Sequence, residues 1–256
     1  MDKIYEQIKT LAKDCGEIIK SASREEIEID AKEGHANFVT RYDKLVQDRL
    51  MKGLKEIMPE AAFFGEEGEH NGFPEDDLVF IVDPIDGTTN FLKGLNLSCI
   101  AIALVHKKER IFGLVYNPFT SEMFTAVKGQ GAFLNGKKIK VSSEPLDMGL
   151  VIFGTSPYYP GLPDKAFKLA RYYLEKSIDV RRLGSAEIDL CYIACGRAEL
   201  YFEPLLQPWD FAAGSLIVEE AGGRAMTFEG NELDFRVPCS CVAFGSGIKI
   251  DRMPEL

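Results

Sequence analysis

Apolar residues recur at Ile4, Ile8, Leu11, Cys15 and Ile18, a three-and-four spacing that predicts an amphipathic helix facing a core. A polar stretch runs on through His35. A second stripe of Val46, Leu50, Leu54 and Ile57 then predicts a helix over about Arg41–Met58, ended by Pro59. After that the period changes. Leu78-Val-Phe-Ile-Val82 is apolar without interruption, as in a strand buried on both faces. Ser98–Val105, Ile111–Tyr116, Met123–Val127 and Ala132–Val141 follow as strands joined by short connections, and Asn135-Gly136 is a hairpin signal. These strands predict an antiparallel meander.

Beyond Pro145 the texture alternates. Strands near Val151–Gly154, Ile178–Leu183, Leu200–Phe202, Arg224–Thr227 and Cys241–Gly245 are interleaved with helices near Lys165–Lys176, Ala186–Cys195 and Phe211–Ala221. A meander half and an alternating half predict an α+β fold of two stacked sheet-and-helix lobes. Ser-Ser-Glu-Pro within Ser142–Gly149 breaks the pattern and sets the lobes at 1–145 and 146–256.

Composition narrows the function. The chain has 256 residues, 46% hydrophobic and 27% charged, values of a soluble globular protein. Its formal charge of −10 argues against a nucleic-acid binder, whose affinity rests on Lys and Arg neutralising phosphates. The acidic excess is either a solubility feature or, in part, carboxylates gathered to hold cations. No apolar run is long enough to span a bilayer, so no membrane role is expected. Charges interrupt the apolar positions of Met1–Ser21, unlike a signal peptide. A cytoplasmic protein is therefore expected, with Cys15, Cys99, Cys191, Cys195, Cys239 and Cys241 as reduced, mostly buried thiols. His35, His70 and His106 have no spacing that would join Cys191 and Cys195 in a zinc site.

The chemistry lies in the acids. Asp83-Pro-Ile-Asp-Gly-Thr-Thr-Asn-Phe91 follows the buried strand directly, and Pro84 restricts the backbone on either side of it. Gly87-Thr88-Thr89 offers amides for an anion at a helix start, although Asp-Pro-x-Asp-Gly is also ordinary turn chemistry. Glu66 and Glu67 follow Phe63-Phe-Gly65, in a solvated loop or at a site. Asp210 is placed to cap the helix that follows it. Asp43 forms a capping-box pattern with Thr40. Asp43, Glu66, Asp83, Asp86 and Asp210 nevertheless all fall at element termini, where binding groups concentrate. Oxygen ligands of this kind suit hard cations, Mg2+ above all when phosphate completes the shell. Two such ions can hold the entering and leaving oxygens of a phosphoryl displacement.

Phe80-Ile-Val-Asp-Pro-Ile-Asp-Gly-Thr-Thr-Asn-Phe91 and Trp209-Asp-Phe-Ala-Ala-Gly214, running on to Glu220-Ala-Gly-Gly223, resemble the two signatures of the inositol monophosphatase family. Members of that family are Mg2+-dependent, lithium-sensitive sugar phosphatases. Gly65-Glu-Glu67, Val39-Thr-x-x-Asp43 and Gly184-Ser-Ala186 fall in the same order, so the resemblance covers nearly the whole chain. It implies a layered αβαβα sandwich, a homodimer, and two to three Mg2+ ions. The first ion would take Glu66, Asp83 and the Ile85 carbonyl, and the second Asp83, Asp86 and Asp210. A third, weaker ion would be reached from Glu66 through water. Asp43 hydrogen-bonded to Thr88 would help activate the attacking water. Gly87 and Thr88 amides would meet the phosphate, Glu203 a substrate hydroxyl, and Ser185 and Ala186 would line the same pocket. The reaction implied is hydrolysis of a small phosphorylated polyol or sugar, inositol monophosphate first, by direct attack of a metal-activated water. Fructose 1,6-bisphosphate, NADP or a 3′-phosphonucleotide are alternative substrates, and a regulatory or RNA-associated role is a reading from another class. The chain departs from the family pattern at Asn37, where Asp is commoner, and at Glu187, where Ala is. Glu187 is either a first-turn helix acid or a pocket group. The chain stops at Leu256 soon after Gly245-Ser-Gly247, so a final family helix is expected to be short or missing.

Overall fold

The two apolar stripes fold as helices in a computed structural model that describes residues 1–22, 29–31, 38–67 and 72–255. Asn37, His35 and His70 lie outside the described residues. In chain order come α1 (Asp2–Lys20), β1 (Ile29–Ala31), β2 (Phe38–Thr40), α2 (Arg41–Ile57), β3 (Ala62–Gly65), β4 (Leu78–Asp86) and α3 (Thr88–Lys93). The meander is β5 (Cys99–His106), β6 (Glu109–Asn117), β7 (Glu122–Val127), β8 (Gly131–Leu134) and β9 (Lys137–Lys138). The alternating half is β10 (Leu150–Phe153), α4 (Leu162–Leu174), β11 (Asp179–Arg181), α5 (Ala186–Ala194), β12 (Leu200–Leu206), α6 (Ala212–Glu220), β13 (Arg224–Met226) and β14 (Cys239–Phe244). One-turn 3-10 helices sit at Leu146–Met148 and Pro208–Asp210.

Seven strands form a sheet in the order β3-β4-β5-β6-β7-β8-β9. Its pairings are antiparallel except β3 with β4, which is parallel. The second sheet has the order β11-β10-β12-β14-β13, with β10 parallel to β11 and β12, and β14 antiparallel to both its neighbours. The alternating texture alone would give a parallel sheet. The antiparallel edge arises because β13 reaches β14 without a crossover helix, which a parallel pair would require.

The strand period sorts the side chains into layers. Phe80, Val82, Ile100, Ile102, Leu104 and Leu114 face α1 and α2. Val79, Ile81, Ala101, Ala103, Val115 and Phe124 face the other way, in one cluster with Leu190 and Ile193 of α5 and Leu216 and Ile217 of α6. Ile152, Tyr201, Cys241 and Ala243 of the second sheet belong to that same cluster. The outer face of the second sheet, Val151, Phe153, Leu200, Phe202 and Val242, packs on Leu169, Ala170 and Tyr173 of α4. The order is helices, sheet, helices, sheet, helix, the expected αβαβα sandwich. Among the described residues no helix is long and apolar enough to cross a membrane.

Several boundaries differ from those the pattern predicts. β4 continues past Val82 to Asp86, with a register shift against β5 between Asp83 and Asp86. Pro84 has no N–H for the ladder, so the pairing breaks there and resumes. β12 does the same, continuing past Phe202 with a shift between Glu203 and Leu206 around Pro204. The stretch Ala132–Val141 divides into β8 and β9 at Asn135-Gly136, as the hairpin signal requires. α4 starts at Leu162, three residues early, because Pro163 is tolerated in a first turn.

Candidate active site

Ten of the eleven residues singled out as a site meet around one cavity of about 150 Å3: Glu66, Asp83, Ile85, Asp86, Gly87, Thr88, Ser185, Ala186, Glu203 and Asp210. They arrive from separate elements. Glu66 follows β3, Asp83, Ile85 and Asp86 form the broken end of β4, and Gly87 and Thr88 open α3. Ser185 and Ala186 begin α5, Glu203 lies at the irregularity of β12, and Asp210 ends the 3-10 turn before α6. Asp43 stands behind this wall, buried in the first turn of α2. A larger groove of about 840 Å3 lies elsewhere, between Arg110, Lys128, Glu219 and Arg236, and contains none of these residues.

Asp43, Asp83, Asp86 and Asp210 are anchored by hydrogen bonds from the protein. Asp43 completes the predicted capping box: its Oδ2 accepts from Thr40 N at 2.8 Å and from Thr40 Oγ1 at 2.5 Å. Its Oδ1 accepts from Thr88 Oγ1 at 3.3 Å, while the same hydroxyl lies 3.2 Å from the Ile85 carbonyl. Capping and the expected Asp43–Thr88 contact therefore coexist on one carboxylate. Asp83 Oδ1 accepts from Ile85 N at 2.9 Å. Asp86 Oδ2 accepts from Ser185 Oγ at 2.6 Å and Glu187 N at 2.8 Å, and Oδ1 from Ala186 N at 3.3 Å. Ser185 and Ala186 thus line the cavity and also hold Asp86. Asp210 Oδ2 accepts from Gln207 N at 2.8 Å.

That last bond corrects one expectation. Asp210 closes the 3-10 turn on Gln207, and the residue capping α6 is Phe211, without a side-chain bond. The α6 amides are met instead by Glu187, whose carboxylate accepts from Ala213 N at 3.2 Å and Gly214 N at 2.5 Å. Glu187 is fully buried. It stands in the first turn of its own helix, as the helix reading expects, and outside the cavity wall; its carboxylate also caps the neighbouring helix. The two readings of Glu187 considered only α5 and the pocket, and the third partner comes from elsewhere in the chain.

Electrostatics single the site out. Burial pushes the Asp83 carboxyl well above the usual carboxylate range, and Glu66, Asp86, Asp210 and Asp43 push it further. Burial also raises Asp210 strongly, with Asp86 and Glu66 adding to it. For Asp86, burial raises the carboxyl while the donors from Ser185, Glu187 and Ala186 oppose the rise. Like charges gathered out of water favour either protons or a cation. Among the described residues no three acidic, His or Cys side chains close on one point; the acids are spread around the cavity wall, and Asp83, Asp86 and Asp210 are each drawn to a protein donor. The donors lining the cavity are carboxylate, carbonyl and hydroxyl oxygens, with no imidazole or thiol. That set fits a hard divalent cation and not zinc or copper.

Gly87 has φ +85, and a Cβ there would stand 2.8 Å from the Leu97 carbonyl oxygen, so only glycine turns the chain into α3 at this point. Glu203 Oε1 accepts from Ser156 N at 2.7 Å and Ser156 Oγ at 3.3 Å, and Oε2 from Tyr201 OH at 2.9 Å. Gly154 makes room for this carboxylate, since any Cβ at that position would overlap it.

The cavity also includes Asp189, Arg182 and Asn90, which the sequence reading did not single out. Asp189 carried a signal: with Glu187 it is one of the two charges in the otherwise apolar helix α5.

The profile of the inositol monophosphatase family matches residues 1–246. Inositol monophosphatase 2 of Solanum lycopersicum is 39% identical over 242 residues, covering 91% of either chain. Nus factor SuhB of Xylella fastidiosa is 36% identical over 218 residues, 84% of this chain and 78% of that one. The crystal structure of the extragenic suppressor protein SuhB of Bartonella henselae superposes with a TM-score of 0.88 at 31% identity, covering 96% of this chain and 95% of that one. The chain belongs to the inositol monophosphatase family.

Proposed function

We propose that this protein hydrolyses a small phosphate monoester with Mg2+, inositol monophosphate being the first substrate to consider. The observation that carries the proposal is the ring of carboxylates, Asp83 and Asp86 buried among them, that lines the cavity around the start of α3. A phosphate dianion would be repelled by such a ring, and two to three bound divalent cations would turn the repulsion into attraction. Glu66, Asp83, the Ile85 carbonyl, Asp86 and Asp210 would hold these ions, whose charge neutralises the phosphate and lowers the pKa of water.

The chain's own groups supply the rest. Thr88, bonded to Asp43, orients the attacking water, and the pair, assisted by Glu66, takes its proton. Asp43 is held rigidly for this by its capping bonds to Thr40. The amides of Gly87 and Thr88 meet the phosphate. Ser185 and Ala186 fix Asp86 at the edge of the pocket, while Glu203 faces the alcohol portion. Fructose 1,6-bisphosphate, NADP and 3′-phosphonucleotides remain the alternatives within the same chemistry.

A second reading, a regulatory partner role, is favoured by the similarity to a protein named Nus factor SuhB. The charge of −10 opposes direct contact with RNA, so the partner in that reading is a protein. Phosphate release by the purified protein, with Mg2+ and with a chelator, across these substrates tests the proposal. Mg2+-dependent release ranked by kcat/KM identifies the substrate, and no release from any of them overturns the phosphatase reading.

A further inference from the structure

The cavity holds more carboxylates than cations and phosphate require, and one of them has an unanswered oxygen. Asp189 is 1% exposed, lines the cavity from the first turn of α5, and its buried Oδ1 has no hydrogen-bond partner among the described residues. Its companion in the same helix, Glu187, is met by two α6 amides. Asp83, Asp86 and Asp210, assigned to cations, each accept at least one protein bond. Glu203, expected to meet a substrate hydroxyl, already accepts three donors from Ser156 and Tyr201. A carboxylate has about four acceptor positions, so Glu203 has little capacity left, whereas Asp189 has most of its own.

A buried acceptor without a donor is costly in a folded protein and persists where a ligand supplies the donor. Asp189 lines the cavity together with Glu203 and Arg182; burial pushes its carboxyl well above the usual range, Glu203 and Asp86 add to the rise, and Arg182 opposes it. It therefore belongs to the Glu203 part of the cavity, where the alcohol portion of a phosphate ester would lie. We infer that Asp189 is a substrate-binding residue that accepts a hydrogen bond from a ring or chain hydroxyl, so that with Glu203 it selects polyol phosphates carrying free hydroxyls beside the ester over simple alkyl or aryl phosphates. The inference rests on the phosphatase reading above and deepens it by assigning the specificity to a residue of α5.

The test is a comparison of two substrates on the full-length, Mg2+-loaded protein, inositol 1-phosphate and 4-nitrophenyl phosphate, the second having no hydroxyl to offer. Asp189→Ala is expected to lower kcat/KM for inositol 1-phosphate about 10- to 100-fold, the cost of leaving a buried substrate hydroxyl without its partner. The same variant should leave 4-nitrophenyl phosphate within about twofold of wild type, because that transition state never used the contact. Asp189→Asn, nearly isosteric and keeping one acceptor, should fall between, with a metal-free Tm no lower than wild type. Equal losses on both substrates, or none on either, overturn the assignment while the phosphatase reading stands. If wild type releases phosphate from neither substrate, the phosphatase reading fails first and this assignment with it.

Discussion

Asp83 shows what a single residue does in this site. Its carboxyl is out of water among four other acids, a placement that costs stability and that packing alone does not explain. Asp83→Asn and Asp210→Asn should each lower kcat by about 100-fold or more, since several kcal/mol of charge stabilisation is lost with the cation. The metal-free variants should unfold at the same denaturant concentration as wild type or a higher one, because a buried like charge has been removed. Near-wild-type rates in both would refute their role. Gly87 makes a complementary case: Gly87→Ala forces a left-handed residue that costs about 1–2 kcal/mol and crowds the Leu97 carbonyl. Its urea midpoint should fall, and activity should fall with it because Thr88 is displaced; an unchanged midpoint would show that this turn is not constrained. Residues of this kind were legible where they sit in a contiguous string. Asp83, Asp86 and Gly87 stand within five positions of one another, and a string carries its own backbone logic. Asp189 was not legible, because its meaning depends on the absence of a partner, and absence leaves no spacing to read.

At the scale of elements, two strands use one device. β4 and β12 each bring an acid followed by proline, Asp83-Pro84 and Glu203-Pro204, to a point where the ladder slips. A bulge re-aims side chains, so each sheet delivers a carboxylate out of its regular alternation and into the cavity. Long periodic elements such as α1, α2 and the meander were readable from their apolar spacing. β3, four residues long, has no element predicted for it from the sequence, because its parallel pairing with β4 is a long-range fact that four residues cannot announce. The role of Glu187 escaped for the same reason, since the amides it meets lie 26 and 27 residues further on. Removing that cap should show its cost: Glu187→Ala leaves two buried amides without an acceptor, a loss of about 1–3 kcal/mol. Glu187→Gln retains an acceptor and should lose less. Equilibrium unfolding of the metal-free protein decides; an alanine variant as stable as wild type would mean that water replaces the carboxylate at α6.

The whole molecule is built so that the site belongs to neither half. Asp83 and Asp86 come from the seven-stranded sheet, Glu203 from the five-stranded sheet, and Asp210 from the turn that leads into α6. The largely apolar α5 and α6 lie between the sheets in one continuous core, which is why a texture break near Pro145 separates two sheets without separating two cores. On the proposed reading, a cation held by Asp83, Asp86 and Asp210 would join groups contributed by both halves, and would bind the folded chain far better than the unfolded one. Mg2+ should therefore raise global stability by mass action, by about 2.7 kcal/mol at 100 times the dissociation constant. For a chain of this size that corresponds to about 5–10 °C in Tm. Asp83→Asn should lose most of that shift. Asp189→Asn should keep it, since its carboxylate is assigned to substrate and not to the ions. Melting curves of the three proteins with Mg2+ and with a chelator separate these roles without any assay of activity. A full Mg2+ shift in Asp83→Asn would remove Asp83 from the ion site, and a shift lost in Asp189→Asn would move Asp189 into it.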